Sequence, residues 1–331
     1  MSDNELLLEV ENLHVEFRTA DGVANVLNGV GYSVHAGETL AVLGESGSGK
    51  SVTAQTVMGI LDMPPGVITA GAVRWRGEDL LTASEDRRRE VRGSEIAMIF
   101  QDALSALNPV FTVGFQIEEQ LRVRLGMSKK DARKRAIELL DIVRIPAAER
   151  RIKDYPHQFS GGMRQRAMIA MSLALDPDLL IADEPTTALD VTVQAQIMDL
   201  LGEIQAERKM GLVLITHDLG VVAEVADRIA VMYAGRIVEQ ADAGELFRAP
   251  AHPYTAALMD SLPRLDLKGQ TLETIKGLPP SLLQIPPGCP FHPRCKRAEA
   301  VCSQEVPPQH AIGFGRTSAC HFAEEVVSSR A

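Results

Sequence analysis

Between Gly44 and Ser51 the chain reads Gly-Glu-Ser-Gly-Ser-Gly-Lys-Ser, which fits the pattern G-x-x-x-x-G-K-[ST]. Gly44, Gly47 and Gly49 let the backbone turn its N–H groups inward around a phosphate, with Glu45, Ser46 and Ser48 as the intervening positions. The helix expected to follow, Ser51 to Leu61, offers its positive N-terminus to the same anion. Lys50 has the reach for β- and γ-phosphates, and the Ser51 hydroxyl suits Mg²⁺; Val52 is assigned no role. The plainer alternative is a glycine-rich surface turn. The apolar run Thr39-Leu40-Ala41-Val42-Leu43 just ahead, and the helix just after, favour the phosphate loop. A second element of the same chemistry is Leu179-Leu180-Ile181-Ala182-Asp183-Glu184, an apolar run ending in two carboxylates. Alternation along a strand would aim Asp183 at Mg²⁺ and Glu184 at a water beside the γ-phosphate. The GTPase base-reading motif Asn-Lys-x-Asp is absent.

These groups need elements to hold them. Leu8, Val10, Leu13, Val15 and Phe17 alternate towards a turn at Asp21-Gly22, and Val23, Val26, Val30 and Val34 follow, which reads as antiparallel sheet. Short apolar runs recur at Ile96–Phe100, Leu179–Ala182, Leu212–Ile215 and Ile229–Met232, each the length of a buried strand. Helices alternate with several of them. One is expected from Ala132 to Val143, behind Ser128 and Asp131 in capping-box spacing. Another is expected from Val191 to Arg208, with Val193, Ile197, Leu200 and Ile204 on one face. The whole predicts an α/β fold with a mainly parallel sheet, an antiparallel β subdomain and a helical insertion over about 103–160. After about 245 the prolines crowd and periodicity fades, so 1–245 is expected to be the main domain and 246–331 an extension.

The chain has 331 residues, 34 basic and 44 acidic, for a formal charge of −10. An acidic balance argues against general nucleic-acid binding, whose phosphate term needs clustered cations. No apolar stretch approaches the length of a membrane helix, and the acidic start Met-Ser-Asp-Asn-Glu is unlike a secretory signal. Cys289, Cys295, Cys302 and Cys320 are the only cysteines and all lie in the last fifth. In a reducing compartment such a group reads as a metal or redox site before it reads as disulfides.

At Phe159-Ser160-Gly161-Gly162-Met163-Arg164-Gln165-Arg166 the chain resembles the ATP-binding cassette (ABC) transporter ATPases, whose signature is usually Leu-Ser-Gly-Gly-Gln. The resemblance covers about 6–245 and keeps the family's order of motifs. It implies that Gln101 is the Q-loop residue, serving catalysis and Mg²⁺, and that Asp183 and Ser51 are further Mg²⁺ ligands. It likewise implies Glu184, His217 and Lys50 as catalytic, Ala188-Leu189-Asp190 as the D-loop and Phe17 as the adenine-stacking aromatic. Ser160, Gly161, Gly162 and Met163 would close in trans on ATP held by a partner's phosphate loop. Ser160 and Asp190 are also natural N-caps, and each fits both jobs. Phe159 and Met163 depart from the usual signature.

The tail narrows the resemblance. His252-Pro253-Tyr254-Thr255-Ala256-Ala257-Leu258 and Pro286-Pro287-Gly288-Cys289-Pro290-Phe291-His292-Pro293-Arg294-Cys295 look like the C-terminal extension of bacterial oligopeptide and dipeptide importer ATPases of the D-subunit type. That implies ATP hydrolysis powering peptide import at the cytoplasmic face of the membrane. The implied partners are a second ATPase, two permease subunits and, indirectly, an extracytoplasmic peptide-binding protein, with no nucleic acid among them. Importers of nickel or other small solutes are the nearer alternative, and an ABC ATPase of DNA repair or translation the farther one. Five, six and seventeen residues intervene between successive cysteines. Structural zinc usually wants a closer pair. The looser spacing, and the resemblance, point to a [4Fe–4S] cluster, with zinc and uncoordinated thiols as alternatives.

Overall fold

The computed structural model describes residues 5–187, 189–261, 275–313 and 315–329. In chain order the first elements are β1 (Leu6–Thr19), β2 (Gly22–His35), β3 (Thr39–Leu43), α1 (Lys50–Met58), β4 (Gly66–Trp75), β5 (Glu78–Asp79), α2 (Glu85–Ser94) and β6 (Ile96–Ile99). Helices follow: α3 (Ala103–Ala106), α4 (Val113–Leu125), α5 (Lys129–Ile142), α6 (Ala148–Arg151) and α7 (Gly161–Ser172). Then come β7 (Leu179–Asp183), α8 (Val191–Arg208), β8 (Gly211–Thr216), α9 (Leu219–Val225), β9 (Arg228–Tyr233), β10 (Arg236–Asp242), α10 (Ala243–Arg248) and α11 (Pro253–Asp260). The tail adds β11 (His310–Ala311), β12 (Thr317–Ser318) and α12 (Ala323–Ser328). No helix among the described residues is long and apolar enough to cross a membrane.

These elements form two compact units, each discontinuous in sequence. The first comprises Met1–Leu7, Val34–Glu38 and Thr82–Ile215. Its strands β6, β7 and β8 run parallel, with Ile96 opposite Leu179 and Leu180 opposite Leu212. All three are buried along their length, which is why they read as unbroken apolar runs rather than alternating ones. Helices α3 to α6 lie between 103 and 160, and α7 begins just after, at Gly161. Helix α5 starts three residues earlier than its periodicity indicates, because Ser128 caps it by accepting the Asp131 N–H at 3.2 Å. Helix α8 has the bounds read from its apolar face.

The second unit comprises Leu8–Ser33, Thr39–Leu81 and Thr216–Ala331. One of its sheets has the order β2-β1-β4-β5, with β1 antiparallel to β4. In the other, β3 runs parallel to β9, and β10, β12 and β11 continue it antiparallel. The C-terminal residues therefore extend the sheet that carries the phosphate loop. A single apolar core joins Ala41 and Leu43 of β3, Val231 and Tyr233 of β9, Tyr254 of α11 and Phe291, with Cys289 and Cys295 packed against it. Tyr254 and Phe291 thus pack the C-terminal residues onto that core, and Cys320, Ala323 and Val326 form a small cluster beside it.

Candidate functional site

In the second unit the phosphate loop leaves β3 at Gly44 and enters α1 at Lys50. A Cβ on Gly44 would come within 2.2 Å of the Met232 carbonyl oxygen, so the loop lies flush against β9. Gly49 sits at φ +106, and a Cβ there would meet Leu27, Met232 and Val26 at 2.7–2.9 Å. Both positions need glycine, one for close approach and the other also for its left-handed backbone. The turn between β9 and β10 holds the loop's centre, through the Gly235 N–H donating to the Ser48 carbonyl at 2.9 Å. Gly49 caps α1 without a side chain, leaving the helix's first N–H groups for an anion.

Lys50 is buried and its Nζ donates to the carbonyls of Gly44 at 2.8 Å and Glu45 at 3.0 Å. The ammonium thus spans the loop at the place where phosphate oxygens would bind. Ser48 Oγ is buried with no hydrogen-bond partner. An orphaned hydroxyl in a loop of inward N–H groups fits a phosphate oxygen as its missing acceptor. Ser51 is half-buried in the first turn of α1, His217 is exposed just after β8, and Phe17 is half-buried on β1 opposite Gly66.

In the first unit Asp183 closes β7 and is buried. Glu184 does not continue the strand. Its φ of +47 puts it in the left-handed region, so that turn, not strand alternation, parts the two carboxylates. The Glu184 N–H donates to the Ile215 carbonyl at 2.8 Å, pinning the turn to β8. Glu184 Oε2 accepts from Gln101 Nε2 at 2.9 Å and from Thr187 Oγ1 at 2.8 Å. Gln101 lies two residues past β6, not at its end. The structure therefore joins Gln101 to Glu184, two residues selected separately in the sequence.

Ser160 caps α7 by accepting the Met163 N–H at 3.4 Å, and Asp190 caps α8 by accepting the Val193 N–H at 3.0 Å. Ser160 and Gly161 are exposed. Gly162 lets α7 crowd α8, since a Cβ there would come within 2.8 Å of Val193. Ala188 of the expected D-loop lies outside the described residues.

Cys289, Cys295, Cys302 and Cys320 are all free thiols and line one small cavity with His252, Phe291 and Phe322. Burial pushes the Cys289 and Cys320 thiols up to about 11 and raises that of Cys295. Among the described residues no three His, Cys, Asp or Glu side chains converge as the ligands of one metal ion. The four cysteines are thus free thiols around a cavity, and among the described residues they do not form a metal site.

Sequence reasoning missed the groups that tie the tail to the loop. The Glu45 N–H donates to Tyr254 Oη at 3.0 Å, and Arg294 pairs with the Glu45 carboxylate at 2.6 and 3.0 Å. Tyr254 lies 4.6 Å from Tyr233, ring to ring, and Phe291 5.3 Å from both. Tyr254 and Arg294 lie in the two stretches that resemble the importer extension, but nothing in either points at a residue so far away in sequence.

A parallel sheet, a glycine-built phosphate loop opening a helix, and carboxylates at and just past the end of a buried strand define a P-loop nucleoside triphosphatase. The ABC transporter family model matches residues 27–187, and the model for the oligopeptide/dipeptide transporter C-terminal region matches 238–302. The chain is 50% identical over 321 residues to the dipeptide transport ATP-binding protein DppD of Bacillus subtilis (strain 168), covering 97% of this chain and 96% of that one. It is 53% identical over 314 residues to a putative peptide import ATP-binding protein of Brucella abortus (strain 2308), covering 95% and 94%. The dimeric structure of MJ0796, a bacterial ABC transporter cassette, superposes with a TM-score of 0.65 at 28% identity, over 72% of this chain and 99% of that one. The chain belongs to the ABC transporter ATP-binding proteins, in the branch that carries the oligopeptide/dipeptide transporter C-terminal region.

Proposed function

We propose that this chain is the ATP-hydrolysing subunit of a bacterial importer of di- and oligopeptides. The observation that carries the reading is its identity of 50% over 97% of its length to a dipeptide transport ATP-binding protein, tail included. Functionally, 1–245 is the cassette and 246–331 the importer-type extension. Lys50 and the loop N–H groups bind the phosphates, and Phe17 stacks on adenine. Ser51, Asp183 and Gln101 would hold the Mg²⁺ that accompanies ATP and neutralises phosphate charge; all three offer oxygen, which suits a hard cation. Glu184, held by Gln101 and Thr187, orients the attacking water, and His217 steadies the γ-phosphate. Most of the rate comes from positioning and charge stabilisation.

The exposed Ser160 end of α7 serves a second cassette in trans, in a heterodimer with a related ATPase under two permease subunits at the cytoplasmic face. Tagged chain purified from native membranes should carry these partners and hydrolyse ATP faster than the isolated chain. Ser160→Ala should slow the assembled complex; full activity from a dilute monomer would overturn the reading.

The four thiols are proposed to hold a [4Fe–4S] cluster. A cubane is ligated at four separate corners, so its thiolates stand farther apart than the ligands of one ion, which fits a ring of cysteines around a cavity. The cluster would supply folding free energy to the tail. Anaerobically purified protein should be brown and hold about four iron and four sulfide per chain. Colourless protein with one zinc would decide for zinc.

A further inference from the structure

The phosphate loop contains a single carboxylate, Glu45, at the position after Gly44. A negative charge is a liability beside a polyanion. Glu45 is also central to the cradle: its carbonyl accepts from Lys50 Nζ at 3.0 Å and from the Ser48 N–H at 3.2 Å. Its side chain is 25% exposed, so water screens it only in part.

Arg294 answers this charge from the far end of the chain. Its guanidinium grips both Glu45 oxygens, Nη1 to Oε2 at 2.6 Å and Nη2 to Oε1 at 3.0 Å, and its side chain is only 7% exposed. The remaining donors are fixed too. Nε donates to the Lys276 carbonyl at 3.1 Å, Nη2 to the Gly277 carbonyl at 3.2 Å and Nη1 to Tyr233 Oη at 3.2 Å. The guanidinium carbon also lies 5.8 Å from the Tyr233 ring centroid. A fork bonded on every side is preorganised, which is what lysine in its place would not provide. The loop that presents it is tight: the Arg294 N–H donates to the Phe291 carbonyl at 3.0 Å, and the His292 N–H to the Cys289 carbonyl at 3.0 Å. Cys289 and Cys295 bracket that loop.

We propose that Arg294 is an electrostatic positioning residue of the phosphate loop, cancelling the Glu45 charge and so setting the affinity for nucleoside triphosphate. The inference rests on the loop being the ATP site. It gives the tail a task at the nucleotide, beyond filling the core. It also differs in sign from a purely structural staple. If Arg294 and Glu45 only fastened the tail, breaking the pair from either side would weaken ATP binding. If the charge matters, the two single variants move apart.

The test is Mg-ATP binding to the full chain by calorimetry, with parent, Arg294→Gln, Glu45→Gln and the double variant. Arg294→Gln should weaken binding about tenfold, a difference of about 1.4 kcal/mol. Glu45→Gln should bind more tightly than the parent, because it leaves an unopposed cation. The double variant should return to within about threefold of the parent, a coupling read directly from the cycle. Weakening by both single variants, or no recovery in the double, would overturn the proposal. Should Arg294→Gln not fold, Glu45→Gln decides alone: tighter binding supports the proposal, and unchanged or weaker binding overturns it. A parent that binds no ATP would instead refute the ATP site itself.

Discussion

Arg316→Met should be one of the most damaging changes outside the nucleotide loop. Glu239, on β10, is fully buried, and its carboxylate accepts the N–H groups of Ala251 and His252, each at 2.8 Å. Arg316 Nη2 completes it at 3.0 Å and also donates to the Ala249 carbonyl. Removing the arginine leaves a carboxylate in the core with two neutral donors and no counter-charge, which costs about 3–5 kcal/mol. At about 2 °C per kcal/mol for a chain of this size, the melting temperature should fall by about 6–10 °C. The loss also reaches the phosphate loop. Glu239 holds the entry to α11, where His252 Nδ1 accepts the Tyr254 N–H at 3.0 Å, and Tyr254 Oη accepts the Glu45 N–H. ATP affinity should therefore drop along with stability. Adding Glu239→Gln to Arg316→Met should restore part of the stability, since the amide oxygen still accepts a backbone N–H of Ala251 or His252 and no unpaired charge stays buried. Denaturant unfolding and differential scanning calorimetry check this. A single variant within about 1 kcal/mol of the parent would refute the buried-charge argument.

What the sequence disclosed follows the range of the forces involved. The buried strands β3, β7 and β8 declare themselves by continuous apolar runs, and the caps Ser128, Ser160 and Asp190 by local chemistry within three residues. The phosphate loop is legible for the same reason: its glycines answer to close backbone approach in one short segment. Strand β4 hides because Gly66, Thr69, Ala70 and Gly71 blur its alternation. Strands β11 and β12, two residues each, are too short for any period and exist only by pairing with each other and β10. The Arg294–Glu45 pair spans 249 positions and the Arg316–Glu239 pair 77, and no local pattern encodes either. Glu184 was found by its place after an apolar run, but its left-handed backbone comes from the pin to Ile215.

Gly49→Ala should strain a backbone at φ +106 and push a methyl into Leu27, Met232 and Val26, costing about 1–3 kcal/mol and at least tenfold in ATP affinity; normal binding by calorimetry would contradict this. Chelator-treated, metal-free protein should show slow alkylation of Cys289 and Cys320 at about pH 8, accelerating as pH approaches their raised value of about 11, whereas urea-unfolded protein reacts as ordinary thiols do. The sign for stability follows: burying these thiols neutral stabilises the fold below the ordinary thiol value of 9.0, and that contribution is lost as pH rises through about 11. Equal native and unfolded alkylation rates at about pH 8 would refute it.

The most direct test of the central claim is ATP hydrolysis by the membrane assembly that co-purifies with this chain, reconstituted in vesicles and assayed with and without peptide-loaded binding protein. The account predicts hydrolysis that rises with peptide, and a Glu184→Gln variant that still binds ATP but turns over at most about a hundredth as fast. Hydrolysis at the parent rate with Glu184→Gln, or a rate indifferent to peptide, would contradict it.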